Sequence, residues 1–178
     1  NISRLELGTF IIEPKNANVA KISSEIANEL KPQIFQKKIK FKEKYGQHLE
    51  KIRVDPKILQ IILQNILSNA VKYTPDRGKI SLSVRLSNNS LLIKVSDNGY
   101  GIPLKQHHLV FGKFFRADNI YKVSADGTGL GLYIVKYIVE RQGTQEMALP
   151  AKKGSKILVD DKYLKTIIGT ANKKLEKN

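Results

Sequence analysis

The sequence predicts a two-layer α/β sandwich of the α+β kind, with about three helices on one face of a mixed, mostly antiparallel sheet. Three observations predict it. Apolar residues recur every three or four positions in separate segments, which marks helices with one buried side. Two adjacent segments alternate between apolar and polar residues across a polar turn, which marks a half-buried hairpin. The chain has 178 residues, 41% of them hydrophobic and none of them cysteine. A globular chain of that size buries roughly 70% of the surface its unfolded form exposes, so one core suffices without disulfide or metal staples.

The elements follow in chain order. Residues 1–8 read as a helix end stopped by Gly8. Thr9 to Glu13 reads as a strand closed by Pro14. Val19, Ile22, Ile26 and Leu30 place a helix over 18–31, and Pro32 kinks or ends it. Ile39 and Phe41 alternate with Lys40 and Lys42 in a short strand, and Lys51 to Val54 is another. Asp55-Pro56 is a helix start, with a capping carboxylate followed by a proline in the first turn. That helix runs to about Lys72 and turns Leu59, Leu63, Ile66, Leu67 and Ala70 inward. The turn Thr74–Gly78 leads to the hairpin, Ile80, Leu82, Val84 and Leu86 against Leu91, Ile93 and Val95, joined by Ser87-Asn88-Asn89-Ser90. Residues 98–127 lack periodicity and hold four glycines, as functional loops do. A last helix opens near Thr128 and runs to about Arg141, with Leu130, Ile134, Tyr137 and Ile138 inward. Beyond Gly143 the pattern weakens; Ile157 to Val159 fits a strand, and a lysine-rich tail follows.

Composition excludes several functions. Without cysteine there is no thiol catalysis, zinc–cysteine site or iron–sulfur cluster. No apolar run approaches the ~20 residues of a membrane helix. The 31 basic residues against 16 acidic ones give +15, a balance that attracts polyanions. The lysines are scattered and no aromatic-rich stacking motif accompanies them, so no specific nucleic-acid partner is expected.

Three clusters can carry chemistry. Asn65, Asn69 and Lys72 share one helix face at i, i+4 and i+7. They are either a solvated face or a set of oxygen donors and a cation for a hard metal and phosphate. Asp97 continues the inward phase of Leu91, Ile93 and Val95, and Gly99 and Gly101 follow it. It is either a turn-capping residue or a buried carboxylate, which accepts hydrogen bonds only and would select an exocyclic amine over a carbonyl. Gly127-Thr128-Gly129-Leu130-Gly131 opens a helix whose first N–H groups form an anion site. It is neither a dinucleotide fingerprint nor a lysine-containing phosphate loop.

The order of these clusters resembles the boxes of sensor histidine kinases. Asn65 to Pro75 is similar to their N box, Asp97 to Pro103 to the G1 box, Val110 to Asp118 to the F box and Gly127 to Leu132 to the G2 box. Ser3 to Gly8 resembles the join after their second dimerisation helix. The resemblance implies a Bergerat-type ATP-binding domain over 9–160, after a linker remnant (1–8) and before a basic tail (161–178), with an ATP lid at 102–127. It implies Asn69 as magnesium ligand with Asn65 assisting. Lys72 and Tyr73 would line the phosphate and ribose side, and Asp97 would hold the adenine amine. Gly99, Gly101, Ile102 and Phe111 would border that end. Lys113 or Arg116 would reach the γ-phosphate, and Gly127, Thr128, Gly129, Leu130 and Gly131 would follow the phosphates. Related ATPases carry a water-activating Glu where this chain has Asn65, which favours phosphoryl transfer over hydrolysis.

The phosphoacceptor histidine of the family, with its acidic neighbour, has no match in His48, His107 or His108. The implied partners are therefore ATP or ADP, a separate dimerisation domain bearing that histidine, and a response regulator. The implied setting is cytoplasmic, with the full kinase anchored in a membrane. Three other readings remain open: a nucleotide-binding regulatory module without transfer activity, a serine kinase of the anti-sigma type, and nucleic-acid binding driven by the net charge of +15. The segment Gly143 to Pro150 departs from the family's usual closing strands.

Overall fold

The structure, a computed structural model, describes residues 13–87, 90–120 and 127–141. In order these form β1 (Lys15–Ala17), α1 (Val19–Glu29), the short α2 (Lys31–Gln36), β2 (Lys40–Tyr45) and β3 (Ile52–Val54). Then come the long α3 (Pro56–Tyr73), the hairpin β4 (Lys79–Ser87) and β5 (Ser90–Asp97), a 3-10 turn (Leu104–Leu109) and α4 (Gly131–Arg141).

Local chemistry sets the helix boundaries. Asn18 caps α1 by accepting from the Lys21 N–H at 2.9 Å. Pro32 sits in the first turn of a new helix, so α1 ends at Glu29 and is not merely kinked. Asp55 caps α3 through Oδ1, which accepts from Lys57 N (2.9 Å) and Ile58 N (3.3 Å). Its other oxygen accepts from Glu13 N at 2.8 Å and so ties the start of the described chain to this helix.

The described strands form two ladders. β1 pairs antiparallel with β3, Lys15 opposite Val54. In the three-stranded sheet, ordered β2-β4-β5, β2 runs parallel to β4 and β4 antiparallel to β5. Phe41 lies beside Ile80, and Leu82 opposite Val95. The inner sheet face, with Ile80, Leu82, Val84, Ile93 and Val95 buried, meets Leu59, Leu63, Ile66 and Leu67 of α3 in one core. Val19 and Ile26 of α1 and Val135, Ile138 and Val139 of α4 complete it.

One expectation falls outside the described residues and another is corrected. The strand expected over Thr9–Glu13 lies on residues 9–12, which are not among the described residues; Glu13 itself is not in a strand, and the first described ladder forms after Pro14 at Lys15–Ala17, where β3 supplies the pairing. The last helix starts at Gly131 and not at Thr128, and its inward side is shifted: Val135 and Val139 are buried beside Ile138, whereas Leu130, Ile134 and Tyr137 are half-buried. The helix is apolar on most of its circumference, so periodicity alone does not fix its phase. The readings made for residues 1–8, 143–160 and the tail fall outside the described residues. Among the described residues no helix is long and apolar enough to cross a membrane.

Candidate functional site

The site is built along α3. Its apolar stripe is fixed in the core, so the residues beside the stripe are held in register. Asn65, Asn69, Lys72 and Tyr73 are half-buried and line a cavity of about 320 Å³, within the range of small-molecule sites. The eight residue steps from Asn65 to Tyr73 span about 12 Å of helix.

Both ends of this wall are pinned. Asn65 Nδ2 donates to the Ile61 carbonyl at 2.8 Å. Its Oδ1 faces the start of α4, only 2.8 Å from where a Cβ on Gly131 would stand, with Asn69 Nδ2 at 3.7 Å from that point. At the other end Lys37 Nζ donates to the carbonyls of Val71 (2.8 Å) and Lys72 (3.0 Å), capping the C-terminus of α3 with a cation. Burial lowers the Lys37 pKa, and Asp76 partly offsets that. The Lys37 carbonyl also accepts from Arg77 N at 2.8 Å, which locks the turn after α3 to the start of the sheet.

The opposite wall comes from the end of β5. Asp97 is half-buried, and its Oδ1 accepts from Gly99 N at 2.8 Å. The Tyr100 N–H donates to the Tyr73 carbonyl at 3.1 Å, so this turn lies directly on the end of α3. A side chain at Gly99 would stand 2.5 Å from that carbonyl and 2.7 Å from Asp97 Oδ1. Apolar side chains supply much of the cavity lining, among them Val95, Ile102, Val110, Ala117 and Ile120.

Lys72 and Arg116 supply the cationic lining. Lys72 Nζ is 5.4 Å from the Tyr73 ring centroid and 2.9 Å from where a Cβ on Gly127 would stand. Arg116 lines the cavity and, through its charge, partly opposes the burial that raises the Tyr73 pKa. Thr128, Gly129 and Gly131 border the same space. Gly129 has φ +67°, and a Cβ there would lie 2.5–2.8 Å from the backbone of Phe114, itself at φ +61°. Only glycine fits this crossing of two loop segments. Among the described residues lining the cavity, Asp97 is the sole carboxylate.

Most of the residues singled out in the sequence therefore meet in one cavity: Asn65, Asn69, Lys72, Tyr73, Asp97, Gly101, Ile102, Arg116, Gly127, Thr128, Gly129 and Gly131. Four do not line it. Gly99 supports Asp97 from behind, and Leu130 precedes α4 without lining the cavity. Phe111 and Lys113 turn toward α4, with Lys136 Nζ 6.0 Å from the Phe111 ring and Lys113 Nζ 5.2 Å from the Tyr133 ring. Sequence reasoning missed Val110, Phe115, Ala117 and Ile120 as lining residues; in a segment without periodicity no signal orients them. His107 bonds through Nε2 to the Ile102 carbonyl at 2.9 Å and braces the loop. No group of three or more His, Cys, Asp or Glu side chains that could hold a metal occurs among the described residues.

The cavity thus combines one half-buried carboxylate with cations, amides, apolar side chains and the glycine-rich start of α4. Residues 54–161 match the family described as histidine kinase-, DNA gyrase B- and HSP90-like ATPase. The chain belongs to that family of ATP-binding domains, which carry the Bergerat α/β fold. It is 31% identical over 145 residues to the circadian input-output histidine kinase CikA of Synechococcus elongatus, covering 80% of this chain and 19% of that protein. The structure of a mycobacterial sensor histidine kinase, MprB, superposes with a TM-score of 0.64 at 26% identity, over 83% of this chain and 95% of that one. ShkA in complex with AMPPNP shares the fold, with a TM-score of 0.70 at 23% identity over 88% of this chain and 32% of that one. The chain spans 18–27% of the length of the first curated relatives it matches.

Proposed function

We propose that the chain is the catalytic ATP-binding domain of a sensor histidine kinase. It would hold ATP with magnesium and present the γ-phosphoryl group to a histidine on a dimerisation domain outside this chain. One observation carries the reading: Asp97 is the only carboxylate among the described residues lining a cavity whose remaining polar groups are cations, amides and hydroxyls.

The roles follow from chemistry. Asp97 accepts from the exocyclic amine of adenine and repels a carbonyl at that position, while Val95, Ile102 and Ile120 cover the ring. Lys72 and Arg116 neutralise phosphate charge, and the backbone at Gly127, Gly129 and Gly131 lets phosphates approach the start of α4. Asn65 and Asn69 suit a hard cation, because the Asn65 amide nitrogen is engaged by Ile61 and its oxygen is left facing the cavity. When bound, magnesium would offset charge between neighbouring phosphates. Asn65 cannot abstract a proton from water, so bound ATP would wait for its acceptor. Residues 102–127 would act as the lid over a domain spanning 9–160, and a response regulator would receive the phosphoryl group from the full kinase. The domain would work on the cytoplasmic side of a membrane-anchored protein.

Calorimetric titration of magnesium ATP tests the reading, beside GTP and an Asp97→Asn variant. Selective ATP binding should weaken roughly 30-fold in the variant, the worth of about 2 kcal/mol for a hydrogen bond to a charged group. Equal binding of ATP and GTP would refute the role of Asp97. Supplying the dimerisation domain in trans then separates a kinase, which transfers labelled phosphate, from a regulatory module, which does not.

A further inference from the structure

The sheet has a second face, turned away from the core and the cavity, with a one-sided composition. Lys40, Lys42 and Lys44 alternate outward along β2 and are exposed. The parallel register sets them beside Lys79, Ser81 and Ser83 of β4. A Cβ on Gly46 would touch Arg85 Cβ at 2.9 Å, which places Arg85 on the same face. Five cations and two serines thus share two neighbouring strands. The acidic residue of β2, Glu43, belongs to the other phase and accepts from the Tyr45 hydroxyl. No acidic residue lies on this face among the described strand residues.

Such an array disfavours its own fold. Lys40 and Lys79 are direct neighbours, and like charges placed so destabilise a sheet. Lysines that protect an edge strand from pairing explain β2, but not Lys79 and Arg85 on the central strand. We propose that this face docks on an anionic lipid bilayer. Leu92 of β5, opposite Arg85, is buried, so the exposed cations lie toward β2, about 6.6 Å apart along a strand and about 4.8 Å across. Four of the five are lysines, point charges on flexible stems that suit mobile headgroups. Among the described residues no aromatic stands on the face to stack bases, and no helix projects from it to enter a groove. At its rim is Phe35, 86% exposed. The bonds Lys38 N to Phe35 O and Ile39 N to Ile34 O, both 2.9 Å, hold the end of α2 against the start of β2. An exposed aromatic ring beside lysines is the composition of an interfacial anchor. The nucleotide cavity, on the core side of the sheet, would stay open.

Co-sedimentation with vesicles tests this, using phosphatidylcholine alone and phosphatidylcholine with phosphatidylserine. Binding should require phosphatidylserine and fall with salt. Each lysine removed should lower partitioning roughly fivefold, so that combined Lys40→Ser, Lys42→Ser and Lys44→Ser loses about a hundredfold. Combined Lys15→Ser, Lys21→Ser and Lys57→Ser removes the same charge from other surfaces and should lose far less. Phe35→Ser should weaken binding severalfold at fixed charge. Circular dichroism should show all variants folded. Equal losses in the two triple variants would overturn the proposal, as would binding to phosphatidylcholine alone. Tighter binding to duplex DNA than to vesicles at the same salt, lost in the β2 variant, would overturn it in favour of nucleic acid.

Discussion

The two walls of the cavity are built differently. The α3 wall stands on Leu63, Leu67 and Val71, each at most 1% exposed, and is clamped at its C-terminus by Lys37. The facing loop, described over residues 101–120, buries Val110, Ala117 and Ile120 and is held by short-range backbone bonds and by side-chain bonds that include His107 to the Ile102 carbonyl, Asp118 N to Gln106 Oε1 at 3.1 Å, and Asn119 Nδ2 to the Gly101 carbonyl at 3.1 Å. It leaves Leu104, Leu109 and Phe114 exposed by 40%, 44% and 69%. Groups that must be placed accurately, the amides and Asp97, sit on packed helix and strand ends.

That contrast can be tested from its strongest element downward. Leu63→Ala should destabilise the whole domain by about 3 kcal/mol, because the surrounding core cannot collapse into the space; urea unfolding measures it, and a loss under about 1 kcal/mol would deny α3 its rigid role. Gly129→Ala should do the reverse. Its backbone strain of about 1–2 kcal/mol falls on a yielding loop, so ATP affinity should drop roughly tenfold while the urea midpoint barely moves. Equal losses in both would mean the loop is part of the core. Lys37→Met should cost about 1 kcal/mol of stability, discounted for partial exposure, and should also weaken ATP binding, since the carbonyls it caps belong to Val71 and Lys72.

The smallest effect concerns alkaline pH. Burial raises the pKa of Tyr45 and Tyr73 above their usual 10.0. Above pH 10 the unfolded chain releases these protons first, so stability should fall there as pH rises. Lys37 has the opposite sign. Its lowered pKa lets the folded state lose a proton before the unfolded one, so its contribution improves toward pH 10.5. With two groups against one, the midpoint should decline between pH 10 and 11, and less steeply in Tyr45→Phe. A rising midpoint would make Lys37 the dominant group.

Much of this arrangement was legible in the sequence. Asp55-Pro56 announced α3, and its stripe fixed which side Asn65, Asn69 and Lys72 would present, because a long capped helix is a local object. The hairpin was equally local, and Asp97 followed from its phase. What could not be read depends on partners distant in the chain. The strand Lys15–Ala17 has no alternation of its own and exists through β3. The parallel pairing of β2 with β4 spans a whole helix. Phe111 and Lys113 turn toward α4, and Arg116 toward the cavity, around a left-handed Phe114 that no residue preference announces.

The loop wall has a further consequence for chain length. It begins where Tyr100 bonds to the Tyr73 carbonyl and ends where Gly131 rests against Asn65 and Asn69, so both anchors lie on the same helix. Both of its ends are thus tied to α3. For a flexible loop with tethered ends, doubling the number of residues adds only about 0.6 kcal/mol of closure entropy. A few residues inserted at an exposed position of this segment, such as beside Leu104, should therefore leave the α3 wall and the paired asparagines in place.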